Sequence, residues 1–143
     1  MVSYSLGRKE RLRGLKLTEE LFNGSKSRSM AAFPIRMVYM KTDRNEGDPA
    51  AKMLVSVSKR HFKRAVKRNR VKRQIREAYR YNKHILSAIP QGETYLIALL
   101  WQSDDLFESK EVAASVEKLL RRLNEKIEKN NRVAKRWEGL PKY

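Results

Sequence analysis

The chain has 143 residues, with 33 Lys or Arg against 16 Asp or Glu, for a formal charge of +17. Apolar residues make up 41%, too many for a disordered basic tail, and the length suits one domain with its own core. The longest apolar run, Tyr95 to Trp101, is seven residues, far short of the ~18 that span a bilayer. The first residues do not read as a secretory signal. The chain has no Cys and two His, His61 and His84, which excludes disulfides, thiolate chemistry and a His-rich metal site. What remains is a strongly basic domain, expected to be cytoplasmic and monomeric, whose field attracts polyanions.

The predicted elements run helix, three strands, helix, strand, helix. Leu15 to Asn23 reads as a short helix with Leu17, Leu21 and Phe22 on one face and Gly24 as its stop. Ser27 to Met30 is a short, weak strand. Phe33 to Lys41 and Lys52 to Ser58 alternate with period two, placing Ile35, Met37 and Tyr39, then Met53, Val55 and Val57, on one face. The acidic stretch between them, with Asp43, Glu46 and Asp48, reads as a loop joining a hairpin. A long helix is expected over about Ala65 to Leu86, with Val71, Ile75, Ala78, Tyr79 and Leu86 toward the core. Thr94 to Trp101 reads as an internal strand. Ser109 is the expected cap of a last helix over Lys110 to Lys129. Residues 1–130 thus form one domain, and residues 131–143 are expected to be a loosely held basic tail. Strands with helices gathered on one side make a two-layer α+β sandwich.

The charge is concentrated. Lys59 to Arg80 holds eleven Lys or Arg against one acid, Glu77. Arg8, Lys9, Arg11, Arg13 and Lys16 form a second, smaller cluster. On a wheel of ~100° per residue, Asn69, Lys72, Arg73, Arg76 and Arg80 share a sector opposite the apolar stripe. Guanidinium forks match phosphate bidentately, and an Asn amide can read a 2′-OH or a base edge. A density of one base per two residues exceeds what a merely solvated helix face tolerates, because like charges one turn apart repel.

The segment Arg68-Asn69-Arg70-Val71-Lys72-Arg73-Gln74-Ile75-Arg76-Glu77 resembles the RNR signature of the bacterial ribonuclease P protein component family. Leu54 to Arg60 followed by Ala65-Val66 is similar to that family's strand leading into the helix. Leu21-Phe22 and Phe33 to Tyr39 match its N-terminal part. The resemblance implies an αβββαβα order with a four-stranded sheet and a left-handed βαβ crossover. It implies a protein subunit that assists 5′ maturation of precursor tRNA while the RNA subunit breaks the bond. No cofactor is then held by protein side chains, and Mg²⁺ is required by the RNA partner.

Carried onto this chain, the resemblance places Asn69, Lys72 and Arg76 beside the 5′ leader, in a cleft between the sheet and the first helix. Phe22 and Tyr39 match leader-facing rings, although Phe22 is equally readable as core. Lys59, Arg60, Lys67, Arg68, Arg70 and Arg73 would meet the catalytic RNA. Two departures stand out. Leu17 and Thr18 occupy the region where the family often has another aromatic, and Lys63-Arg64 stands where it often has Gly. Two other readings carry the same charge logic: an RNA chaperone or ribosomal protein, and a DNA-binding module. His61, with no carboxylate near it in sequence, reads as a surface or RNA-facing residue. Asp104-Asp105 reads as turn and cap.

Overall fold

The computed structural model describes residues 7–12, 15–24 and 26–138. Three helices, α1 (Leu15–Asn23), α2 (Ala65–Asn82) and α3 (Ser109–Glu138), accompany four strands, β1 (Arg28–Ala32), β2 (Ile35–Asp43), β3 (Ala51–Ser56) and β4 (Glu93–Trp101). The sheet order is β1-β2-β4-β3. β1 and β2 form an antiparallel hairpin through a turn that contains the cis Phe33–Pro34 bond. β4 is antiparallel to β2 and parallel to β3. The expected β2–β3 hairpin is therefore absent. β4, apolar on both faces, inserts between the two strands, and the chain reaches it from β3 through α2. The acidic loop instead spans the width of one strand, turning at Gly47, whose φ of 83° lies in the left-handed region that suits Gly.

The two-layer arrangement is made by α2 and α3 on one face of the sheet. Ile35, Met37 and Tyr39 of β2, Met53 of β3, and Tyr95, Ile97, Leu99 and Trp101 of β4 pack there against Val71, Ile75 and Tyr79 of α2 and the Leu119, Leu120 and Leu123 stripe of α3. α1 does not join them. It lies on the opposite face, where Leu21 and Leu12 cover Val38, Met40, Leu96 and Ala98. Successive residues of a strand point to opposite faces, and in β2 and β4 both sets are largely apolar, so each face needs a cover. Gly24 follows the end of α1 at a position where a Cβ would collide with the Glu20 carbonyl, which accepts the Gly24 N–H at 2.8 Å.

α2 stops at Asn82 and continues as a 3₁₀ turn, Lys83–Ile85, slightly short of the expected helix end. α3 is longer than its sequence pattern indicates, because the helix runs on through Glu138. The expected loose tail from residue 131 is thus helical as far as Glu138, and the Asn131 amide donates to the Ala88 carbonyl at 2.8 Å. The rest of that tail, residues 139–143, lies outside the described residues, as does the Trp137 side chain. At the start of α3 the Ser109 hydroxyl does not act as the expected cap but accepts from Gln74. Glu111 closes the first turn by accepting the Glu108 N–H at 3.2 Å.

Candidate nucleic-acid interface

α2 is fixed on its inner side and leaves its cations outside. Val71, Gln74, Ile75, Ala78 and Tyr79 are buried, while Asn69, Arg70, Arg73 and Arg76 are exposed and Lys72 is half-buried. Gln74, in the middle of the basic segment, is the polar anchor. Its Nε2 donates to the Phe107 carbonyl at 3.0 Å and to Ser109 Oγ at 3.1 Å, which ties α2 to the start of α3. Behind this joint, Phe107 meets Trp101 and Phe33 edge-on, with ring centroids 5.6 and 6.0 Å apart.

The entry to α2 is held by Arg68, whose Nη1 donates to the Phe62 and Lys63 carbonyls at 2.8 and 2.7 Å. Part of a guanidinium expected to meet RNA is therefore used to close the helix start. Lys59, Arg60 and Lys67 are exposed around the same entry. His61 is not without a carboxylate partner. The fold brings Asp104 to it from the loop after β4, with Nδ1 and Oδ1 2.7 Å apart. Sequence proximity gave no sign of this pair, because 43 residues separate the two.

Asn69, Arg73 and Arg76 line one cleft of about 400 Å³ together with Arg80, Glu77 and Arg11. Four guanidinium groups thus face one carboxylate. Arg73 sits beside Asn69 and Arg76 rather than on a separate surface, and Lys72 is not part of the lining. Arg80 is steadied from the side: its Nη2 donates to the Tyr81 hydroxyl at 3.1 Å, and its guanidinium carbon lies 4.8 Å from that ring centroid. Arg11 enters from the N-terminal segment, which runs beside β3. Arg11 bridges Met53, and the Leu12 N–H donates to the Met53 carbonyl at 2.8 Å. Glu10, one residue back, pairs with Lys83 at 2.9 Å and so pins this segment to the end of α2. The sequence marks Arg11 only as a member of a second basic cluster. Its convergence with α2 is a tertiary fact.

The two ring candidates part company. Phe22 is 42% exposed beside the fully buried Leu21 on α1, so it is a surface ring and not core. On the sheet face that Leu21 covers, Leu54 and Leu100 are only partly buried. Tyr39 does not face this side. It alternates with Val38 and Met40 and therefore points into the α2–α3 layer, where it is buried. A strand seated between α1 and the sheet does not meet it.

The Ribonuclease P family model matches residues 6–124 of the chain. The chain belongs to the ribonuclease P protein family. A ribonuclease P protein component from Porphyromonas gingivalis is 37% identical over 123 residues, covering 85% of this chain and 88% of its own. One from Chlorobium phaeobacteroides is 40% identical over 84 residues, covering 57% of this chain and 56% of its own. The fold is similar to that of the RNase P protein from Thermotoga maritima, with a TM-score of 0.60 at 23% identity, covering 79% of this chain and 96% of that one. The Staphylococcus aureus RNase P protein gives a TM-score of 0.58 at 20% identity, covering 80% and 94%. The cleft takes Asn69, Arg73, Arg76 and Glu77 from the basic segment of α2 and adds Arg80 and Arg11 from outside it. Among the described residues, no helix is long and apolar enough to cross a membrane.

Proposed function

We propose that this chain acts in the cytoplasm, as a monomer, as the protein component of ribonuclease P. In this reading it binds the catalytic RNA and the 5′ leader of precursor tRNA, and the RNA breaks the bond. The observation that carries the reading is the cleft on α2, where Asn69, Arg73 and Arg76 converge with Arg11 and Arg80. Such a site offers bidentate phosphate donors, one amide that can both donate and accept, and a single carboxylate, Glu77. Lys72 flanks it. Lys59, Arg60, Lys67, Arg68 and Arg70, around the helix entry, extend the contact toward the catalytic RNA. Phe22, exposed on α1, supplies a stacking surface indifferent to base identity, which a leader of variable sequence requires.

The protein's part is electrostatic. Neutralised phosphates let two RNAs approach, and this favours occupancy of the Mg²⁺ sites of the RNA partner. If about eight phosphates of single-stranded character are neutralised, the log–log salt slope is about −6, and a fourfold rise in salt weakens binding on the order of 10³-fold. The test is reconstitution with a bacterial RNase P RNA at low Mg²⁺. Leader removal should accelerate, and precursor should bind more tightly than mature tRNA. Equal rates with and without the protein would refute the reading, and equal affinity for precursor and mature tRNA would refute the leader contact.

A further inference from the structure

A second basic surface lies at the other edge of the sheet. Among the described residues, β1 is an edge strand paired only with β2, and α3 packs across it, with Arg122 donating to the Ala31 carbonyl at 3.0 Å. In the antiparallel register Arg28 faces Tyr39, and Lys41 faces Tyr95. Directly opposed residues project to the same side of a sheet. Both rows therefore open toward α3, whose Leu123 and Ile127 are buried and whose Lys126 and Lys129 are exposed.

The result is a groove of about 590 Å³ floored by Tyr39 and Tyr95 and rimmed by Lys26, Arg28, Lys41, Lys126 and Lys129, with no carboxylate among the described residues of its lining. Glu93 sits outside it and pairs with Lys41 at 3.4 Å. A neighbouring hollow of about 390 Å³ beside Met30 shares Lys126 and Lys129 and adds Arg122 and Glu125. Cations drawn from the approach to β1, from β2 and from α3 are held close together at a cost in mutual repulsion. Nothing in the α2 cleft makes use of them.

We propose that this groove is a second phosphodiester-binding site, which takes a segment of the catalytic RNA other than the one at α2. The inference rests on the ribonuclease P reading for the identity of that RNA. Charge complementarity selects a polyanion, and the mixture of lysine rim and phenol floor suits a sugar–phosphate backbone: ammonium groups neutralise phosphates, and neutral phenols donate to their oxygens. The position selects a distinct segment, since α2 lies toward β3 and the groove lies at β1, so one stretch of backbone in the α2 cleft does not also fill the groove.

The experiment uses the full chain with a bacterial RNase P RNA transcript. Replacing both lysines, Lys126→Gln with Lys129→Gln, should lower the salt slope of RNA binding by about 1 for each lysine. Unchanged circular dichroism shows that the exposed substitutions leave the fold intact. A second measurement is independent of these variants. The chain has no cysteine, so Glu125→Cys carries a unique tethered hydroxyl-radical source in the hollow that adjoins the groove, and Glu77→Cys carries one at the α2 cleft. Cleavage of the RNase P RNA from Glu125→Cys, at nucleotides separate from those cut from Glu77→Cys, supports the proposal. An unchanged slope, an absence of cuts from Glu125→Cys, or cuts confined to the nucleotides reached from Glu77→Cys overturns it. Loss of cutting from Glu77→Cys as well would instead remove the ribonuclease P reading beneath it.

Discussion

The α2 cleft and the β1–α3 groove are both basic, but they are assembled in different ways. The cleft draws Asn69, Arg73, Arg76 and Arg80 from a single helix and adds Arg11. The groove draws Lys26 and Arg28 from the hairpin, Lys41 from the far end of β2, and Lys126 and Lys129 from α3. The cleft is mostly guanidinium, which forms paired, directional bonds to phosphate. The groove is mostly ammonium, a hydrated point charge on a flexible stem. A helix that repeats one chemistry every turn builds a surface able to fix register. Lysines gathered from distant segments build one that neutralises charge without fixing it. The α2 cleft is therefore expected to set orientation and the groove to add salt-dependent affinity.

The largest effect should follow from removing the guanidinium pair. Hydrogen bonds to charged groups contribute about 1.5–3 kcal/mol each, so Arg73→Ala with Arg76→Ala should weaken binding of RNase P RNA by 10²-fold or more at moderate salt. Filter binding across a salt series measures this. The lysine pair of the groove should cost less than the arginine pair at every salt concentration. A lysine pair that costs more would reverse the division between the two surfaces.

Gln74→Ala tests whether the α2 cleft depends on its tie to α3. The substitution leaves the Phe107 carbonyl and Ser109 hydroxyl without their buried donor, at a cost of about 1–3 kcal/mol in urea unfolding. Because Gln74 meets the start of α3 and the groove uses its later turns, RNA cutting from the Glu77 position should become diffuse while cutting from the Glu125 position keeps its pattern. Phe22→Ala touches neither basic surface. Its ring is 42% exposed, so stability should change little. The preference for precursor over mature tRNA should fall by about 1–3 kcal/mol if the ring carries one stacked base. A preference that survives Phe22→Ala intact would mean the leader does not lie across α1.

The same contrast explains what can be read from the chain before it folds. The α2 surface is local. Its spacing places Asn69, Arg73 and Arg76 on one side of a helix, and its apolar stripe fixes which side faces out. Gln74 breaks that pattern only because Phe107 and Ser109 arrive to meet it. Tyr39 is the instructive failure. Its alternation with Ile35 and Met37 is plain in the sequence, but which face of the sheet α1 would cover is decided by how the helices divide between two apolar faces. The insertion of β4 between β2 and β3 is equally non-local, since a loop with turn chemistry is compatible with a hairpin or with a span across a missing strand. The His61–Asp104 pair and the groove share this origin. Each joins residues separated by dozens of positions, and no periodicity marks them.

The smallest effect concerns the floor of the groove. Burial, then the nearby carboxylate of Glu93 and the neighbouring Tyr39, push the Tyr95 phenol from 10.0 up to about 12. Burial also raises Tyr79, inside the core, with Glu10 adding to it. Below pH 10 the folded and unfolded chains both hold the Tyr95 proton, and its contribution to stability is fully present. Between pH 10 and about 12 the unfolded chain releases it first, so the unfolded state binds fewer protons and stability falls as pH rises. Tyr95→Phe should flatten that decline, and the phenolate absorbance of the folded protein should lose the component that titrates near 12, while the later one from Tyr79 remains. Because RNA is cleaved by strong base, both measurements are made on the protein alone. A Tyr95 that titrates like a free phenol would mean that neither burial nor Glu93 perturbs the floor beneath Lys41 and Lys126. The groove would then be a shallow basic surface, and the contrast with the α2 cleft would reduce to one of charge alone.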